Sequence, residues 1–228
     1  MPRVQPFRGI RYNPVKVDLG KVICPPYDAM GLPEVDELYA LSPYNAVRLV
    51  LGRQQPKDTR ENNRYTRARD FLRQWKEESV LIQDEKPALY YHEHTYCLGE
   101  HTLTRRGVIA SVRMDDGDKD PFRFYEHTSK APKLDRLRLL NEVNTNLSSI
   151  FGVYFDPKKV VESKIRPSLG KPSLEFDTQH ETHRLWIVHE KEAIDIFVRL
   201  MQNRKVLIAD GQHRFETARV YRDRMRAS

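Results

Sequence analysis

The residues best suited to chemistry cluster near the end of the chain, where Val206-Leu207-Ile208-Ala209 runs into Asp210-Gly211-Gln212-His213-Arg214 and then Phe215-Glu216-Thr217-Ala218. An apolar, β-branched strand that passes through an acid and a glycine into a helix suits an anion. The free N–H groups and positive dipole end of such a helix attract phosphate or carboxylate. The glycine lets the backbone approach closely, and an arginine adds a bidentate fork. On residue types alone the other reading is that Asp210 only caps the helix, with His213 and Arg214 solvated. Neither GxxxxGKS/T nor GxGxxG occurs, which argues against a P-loop or a Rossmann site.

A second group is Tyr125-Glu126-His127-Thr128, followed by Lys133, Asp135 and Arg136. By type and position Glu126 is a loop carboxylate. Asp135 and Arg136 are helix-surface charges, with a basic residue beside a nucleotide phosphate as the functional alternative. Asp116, Asp118 and Asp120 imitate the first ligands of a calcium loop, but Pro121 takes the required glycine position and His127 the twelfth, so no EF-hand is expected. His92 and His94 share one face of a strand, yet no third ligand is evident nearby, and cross-strand polar packing is the expectation. Cys24 and Cys97 form no CxxC pair and no Cys/His cluster, which argues against zinc and fits a reducing compartment. Tyr27 and Asp28 either line a pocket or belong to a turn set by Pro25-Pro26.

The elements that must position these residues follow from alternating hydrophobic period. Short strands are expected at Arg8 to Tyr12 and Val22 to Cys24, a helix from Pro33 to about Leu41, and a buried strand from Ala46 to Leu51. Tyr65, Ala68, Leu72 and Trp75 form one stripe of a helix over Glu61 to Glu78. Ala88 to Cys97 and Thr102 to Arg113 read as a hairpin through Leu98-Gly99-Glu100-His101, followed by a polar loop from Asp115 to Phe122. Beyond it come a helix from about Lys133 to Leu147, a strand from Ile150 to Phe155, and helical or turn character over Pro157 to Lys171. A strand at His183 to Val188, a helix from Lys191 to Gln202, the strand Val206 to Ala209 and a charged helix from His213 to Arg226 complete the pattern. It is that of a mixed α/β protein.

Composition narrows the function classes. A chain of 228 residues with 39% hydrophobic residues makes one large domain or two small ones. The net charge is +7, but residues 199–228 hold eight Lys/Arg against three Asp/Glu, so +5 sits in the last helix and its approach. The remainder carries only +2, which is no basic stripe, and nucleic acid is not the expected partner. No apolar run reaches the roughly 18 residues of a membrane span and the first residues lack a signal peptide's apolar stretch, so a cytosolic protein without a membrane partner is expected.

The DGQHRFETA segment resembles the DGHHR-type motif of the ParB/sulfiredoxin-like superfamily, particularly its free-serine kinases. Pro6-Phe7-Arg8-Gly9-Ile10-Arg11-Tyr12, Pro25-Pro26-Tyr27-Asp28, Ser42-Pro43-Tyr44-Asn45, Arg106-Gly107-Val108-Ile109-Ala110 and His183-Arg184-Leu185-Trp186 resemble a prokaryotic family, domain of unknown function one thousand and fifteen. That resemblance spans essentially the whole chain, and the family is longer, so a C-terminal part of the same protein is expected beyond Ser228. It implies an α/β fold of mixed sheet with flanking helices, divided into an N-terminal α/β region over 1–103 and a truncated ParB/sulfiredoxin-like nucleotide-binding region over 104–228.

The function it implies is a nucleotide-dependent small-molecule kinase that uses ATP or ADP and magnesium to convert free L-serine to O-phospho-L-serine. The implied catalytic residues are Glu126 as acceptor of the hydroxyl proton, Asp210 orienting the turn or a magnesium-bound water, and His213. Gly211, Gln212, His213 and Arg214 are the implied phosphate-binding residues, with Lys133, Asp135 and Arg136 as accessories. The chain departs from the motif at two positions, where Tyr125 and Gln212 replace histidines and cannot titrate near neutral pH. A ParB-like nucleotide-binding switch using the same turn, and a nucleic-acid-binding module using the basic last helix, are the alternative functions.

Overall fold

The computed structural model describes residues 2–114, 121–124, 130–178 and 181–227. β1 (Val4–Gln5) and β2 (Ile10–Tyr12) lead into the helices α1 (Leu19–Val22), α2 (Leu32–Leu41), α3 (Val47–Val50) and α4 (Arg64–Glu77). Next come β3 (Leu81–Gln83), β4 (Leu89–Leu98), β5 (His101–Ile109), β6 (Ser111–Val112) and β7 (Phe122–Arg123). α5 (Lys130–Val143) and β8 (Phe151–Tyr154) precede a π-turn at Val161–Ile165 and a 3-10 turn at Arg166–Ser168. β9 (Leu174–Asp177), β10 (Glu181–Val188), α6 (Lys191–Met201), β11 (Val206–Asp210) and α7 (Gln212–Ala227) follow. The fold is mixed α/β with several separate sheets, as the alternating periods imply. Among the described residues no helix is long and apolar enough to cross a membrane.

The chain divides into two units. The first takes its described residues from Met1–Arg11, Gln83–Phe124 and Gly152–Ala209, the second from Tyr12–Ile82, Tyr125–Phe151 and Asp210–Ser228.

In the first unit a four-stranded antiparallel sheet has the order β5-β4-β10-β9. Its central hairpin closes through Gly99-Glu100, with Leu98 opposite His101 and Gly99 at φ +61, the left-handed backbone that a two-residue hairpin turn needs. Side chains alternate between faces, so Tyr91, Glu93 and Trp186 share one face while His92, His94 and His183 share the other. On the first of these faces Tyr91 and Trp186 meet edge to face at 5.5 Å, and Trp186 donates from Nε1 to the Gly170 carbonyl at 2.9 Å. Arg166 lies 4.6 Å from the Trp186 ring centroid and donates to Glu93 Oε1 at 2.8 Å, where Arg106 also donates at 3.3 Å. Burial pushes the Glu93 carboxyl up, but the hydrogen bonds and charges of Arg166 and Arg106 outweigh it and hold the group below the usual glutamate value.

A three-stranded sheet of order β7-β11-β8 belongs mainly to the same unit, with β11 and β7 parallel. Gly152 permits its close approach, because a Cβ there would lie 2.6 Å from Val206 Cγ1. α6 turns Ala193, Phe197 and Met201 inward, one apolar stripe of an amphipathic helix.

The second unit is helical. Asn63 and Thr66 form a reciprocal capping box that starts α4, which buries Ala68, Leu72 and Trp75 as its stripe predicts. The Trp75 ring is surrounded by Tyr12, Tyr44 and Phe71, with centroids 5.8 to 6.2 Å away. α5 packs on both α4 and α7.

Three expectations need correction, and one strand has no counterpart among them. Val22 to Cys24 is not a strand: Val22 ends α1, whose N-terminus Asp18 caps by accepting from the Gly20 N–H. Ala46 to Leu51 is not a buried strand but contains α3. Periodicity cannot separate a short apolar run in a strand from one in a helix, and here buried Asn45 decides. Its Oδ1 accepts from the Val47 N–H at 3.0 Å, while its Nδ2 donates to the Lys21 and Ile23 carbonyls at 2.9 Å. β9 was not foreseen because its Leu174-Glu175-Phe176-Asp177 alternation is only four residues long. Phe122 belongs to β7 rather than to a loop, and the rest of the expected Asp115 to Phe122 loop, Pro121 apart, lies outside the described residues or at their edge.

Glu93 gives this unit an acid sensitivity. Its folded pKa is depressed, so its contribution is present above the unfolded value of about 4.3 and is lost as pH falls below that value through the folded one. Glu93→Gln is expected to destabilise the protein by about 1–2 kcal/mol at pH 7, the lower part of the range for charged hydrogen bonds because both arginines are partly solvated. Denaturant unfolding at pH 7 and below pH 4 should show the gap between wild type and variant closing on acidification.

Candidate functional site

α7 begins directly after β11, and the joining residue Gly211 has φ +84. A Cβ at that position would lie 2.8 to 2.9 Å from atoms of the Arg214 guanidinium. Glycine suits the left-handed turn, and its missing side chain leaves room for the guanidinium that rests against the backbone. Arg214 is held there by donating to the Ser149 carbonyl at 2.7 Å and to Asp210 Oδ2 at 2.7 Å. The Asp210 side chain is half exposed, whereas that of Arg214 is largely buried. Arg214 Nε and His213 Nε2 are both buried and have no hydrogen-bond partner among the described residues. Leaving such groups desolvated and unpaired costs about 1–3 kcal/mol each, so this turn carries polar capacity that the protein itself does not complete.

Lys133 reaches the same helix. Its Nζ donates to Glu216 Oε2 at 2.9 Å, the Gln212 amide donates to Glu216 Oε1 at 3.2 Å, and Thr217 Oγ1 donates to the Lys133 carbonyl at 3.3 Å. Glu216 thus joins Lys133 to the first turn of α7. The Gln212 side chain is buried, where a neutral amide can hydrogen-bond but not change charge.

Asp135 and Arg136 have different surroundings. Arg136 is only 8% exposed, and its charge is met by Asp135 Oδ2, by the Val50 carbonyl at 2.7 Å and by the Tyr27 ring at 3.9 Å. Asp135 Oδ1 in turn accepts from Tyr65 Oη at 2.7 Å and from Arg64. Burial raises the Asp135 pKa, but the Tyr65 hydrogen bond and the charges of Arg136 and Arg64 prevail and hold it below the usual aspartate value. Burial and Asp28 raise the Tyr27 pKa against the opposing charges of Arg136 and Arg214. Tyr27 therefore lies in the fields of both arginines.

The structure brings Asp210, Gly211 and Arg214 together, and links Gln212 with Lys133 through Glu216. Asp135 and Arg136 form a separate buried node rather than surface charges. Tyr125 and Glu126 lie outside the described residues. Three participants escaped the sequence reading: Tyr27 as a ring over a cation, the Ser149 carbonyl, and Glu216. Glu216 has a local signal, four residues after Gln212 on the same helix face. The turn offers cationic and N–H donors beside one half-exposed carboxylate, a set that can hold a phosphate and, through Asp210, a hydrated divalent cation.

A family model described as "Protein of unknown function (DUF1015)" matches residues 4–228. Comparisons with curated proteins and with solved structures give no match.

The Asp135–Arg136 node has a direct energetic test. Asp135→Ala strands a buried guanidinium, so a loss of about 3–5 kcal/mol is expected. Tyr65→Phe removes one hydrogen bond to the same carboxylate and should cost about 1 kcal/mol. Equilibrium denaturation of the two variants measures both values, and equal small losses would show that Arg136 finds other acceptors.

Proposed function

The chain belongs to the DUF1015 family of proteins of unknown function, and on that premise we propose that it is a nucleotide-dependent small-molecule kinase, phosphorylating free L-serine to O-phospho-L-serine with ATP or ADP and magnesium. The observation that carries this reading is the Arg214 guanidinium seated on Gly211 at the start of α7, with buried, unpartnered donor capacity at Arg214 Nε and His213 Nε2. A nucleotide phosphate would supply the acceptors that the turn lacks. The likeness of Asp210-Gly211-Gln212-His213-Arg214 to the free-serine kinase motif supplies the reaction class.

In this mechanism Gly211 and the first N–H groups of α7 hold the phosphates, Arg214 and His213 add side-chain donors, and Asp210 orients the turn or a magnesium-bound water. Lys133, Asp135 and Arg136 are accessory: Lys133 adds charge beside the first turn, and the other two fix Tyr27 and α5. Glu126 accepts the serine hydroxyl proton as the new O–P bond forms, while the anhydride bond breaks and its electron pair leaves with the shortened nucleotide. That role rests on the resemblance, as does the choice of serine. Charge neutralisation and positioning dominate phosphoryl transfer, so a sparse residue set suffices. Gln212, hydrogen-bonded to Glu216, takes a structural part where the motif has a histidine.

Incubating the protein with ATP or ADP, magnesium and a pool of amino acids should give one amino acid a mass gain of one phosphoryl group. Glu126→Gln should slow the chemical step by roughly 10²–10⁴-fold with little change in nucleotide affinity. Arg214→Ala should weaken nucleotide binding by roughly 10- to 150-fold. Slow nucleotide hydrolysis that ignores amino acids would replace this reading with a ParB-like switch. Salt-steep binding of nucleic acid without turnover would replace it with a nucleic-acid-binding module.

A further inference from the structure

The register of the first unit's main sheet places a set of metal-ligand types on one face. His94 on β4 lies directly opposite His183 on β10, and His92 and Glu181, each two residues away along its strand, point the same way. The His94 and His183 rings stack at 4.5 Å with an interplanar angle of 10°. Glu181 Oε2 is 3.0 Å from His94 Nε2 and 3.5 Å from His183 Nε2, and one ligand atom from each of the three residues lies within 4.8 Å of the others. Among the described residues neither Nε2 atom has a hydrogen bond of good geometry, although both atoms are buried. At these separations one carboxylate oxygen stands beside both ring nitrogens.

The carboxylate oxygen lies 3.0 and 3.5 Å from the two imidazole nitrogens, the separation expected between neighbouring ligands of one cation, and all three atoms fall within 4.8 Å of one another. Ligands at about 2.0–2.1 Å from a tetrahedral ion stand roughly 3.3 Å apart. His92 supports the arrangement, since its Nε2 is 3.1 Å from His183 Nδ1. With His183 donating from Nδ1 to His92, His183 Nε2 is left as a lone pair, the usual way in which an outer partner fixes a ligating tautomer.

We propose that His94, Glu181 and His183 form a binding site for one divalent first-row transition-metal ion, with the remaining coordination open to water. The set contains no cysteine, which is why the cysteine pattern gave no hint of it. His92 and His94 alone lacked a third ligand because Glu181 and His183 arrive from a strand distant in sequence. The site lies in the unit that does not contain the α7 turn, so its fate is independent of the kinase reading.

Arg105 provides the discriminating test. It stands 2.8 Å from His94 Nδ1, and a guanidinium can only donate, so it holds His94 with the proton on Nε2. A metal on Nε2 requires that proton on Nδ1, and Arg105 must then turn away. Arg105→Gln offers an amide oxygen to Nδ1–H and removes a nearby positive charge, so metal affinity should rise by roughly tenfold.

The experiment is titration of the metal-free, untagged chain with Zn²⁺ by calorimetry and with Co²⁺ by visible absorption. One ion per chain is expected, with zinc displacing cobalt. His183→Ala and half-exposed Glu181→Gln should each weaken binding at least tenfold while circular dichroism stays unchanged, and Arg105→Gln should strengthen it. The proposal is overturned if no stoichiometric binding occurs, if folded Glu181→Gln binds as wild type does, or if Arg105→Gln weakens binding. Should His183→Ala fail to fold, Glu181→Gln and Arg105→Gln decide the matter.

Discussion

A guanidinium removed from water must be surrounded by acceptors, and Arg136 imposes that requirement on the second unit. Asp135, the Val50 carbonyl and the Tyr27 ring meet it, and Asp135 is fixed in turn by Tyr65 and Arg64. The turn after Pro25-Pro26, the end of α3, the start of α4 and the body of α5 are thereby tied to one charge. α7 packs on that same α5, so the glycine turn is carried by a helix whose position the buried charge determines. A buried ion pair of this kind adds little net stability over an apolar substitute, but a half-made one is costly, which favours a single arrangement.

The first unit obeys a different constraint, the two-residue alternation of β4 against β10. One register sends Glu93 to Arg166 and Arg106 on one face and brings His94 to His183 on the other. A slip of one residue would exchange the faces and destroy both clusters together. The structural anchor and the proposed ligand set thus depend on the same pairing.

The sequence disclosed what local pattern controls. The α4 stripe, the hairpin around Gly99 and the strand, glycine and helix order at Asp210-Gly211 were legible because each depends on a few neighbouring residues. α3 was misread as a strand because its helix is set by Asn45 contacts to Lys21 and Ile23, more than twenty residues away. Asp135 and Arg136 looked like exposed helix charges for the same reason, since Val50, Tyr65 and Tyr27 approach from other segments. The His94, Glu181 and His183 cluster was invisible until the strand register was known, because only pairing supplies its second half.

The proposed phosphate site at the start of α7 is tested most directly through its own backbone. In the ¹⁵N-labelled protein, titration with magnesium nucleotide should shift the Gly211, Gln212, His213 and Arg214 amide resonances, saturating along one binding curve. Nucleotide binding that saturates while these four amides stay in place would contradict the account.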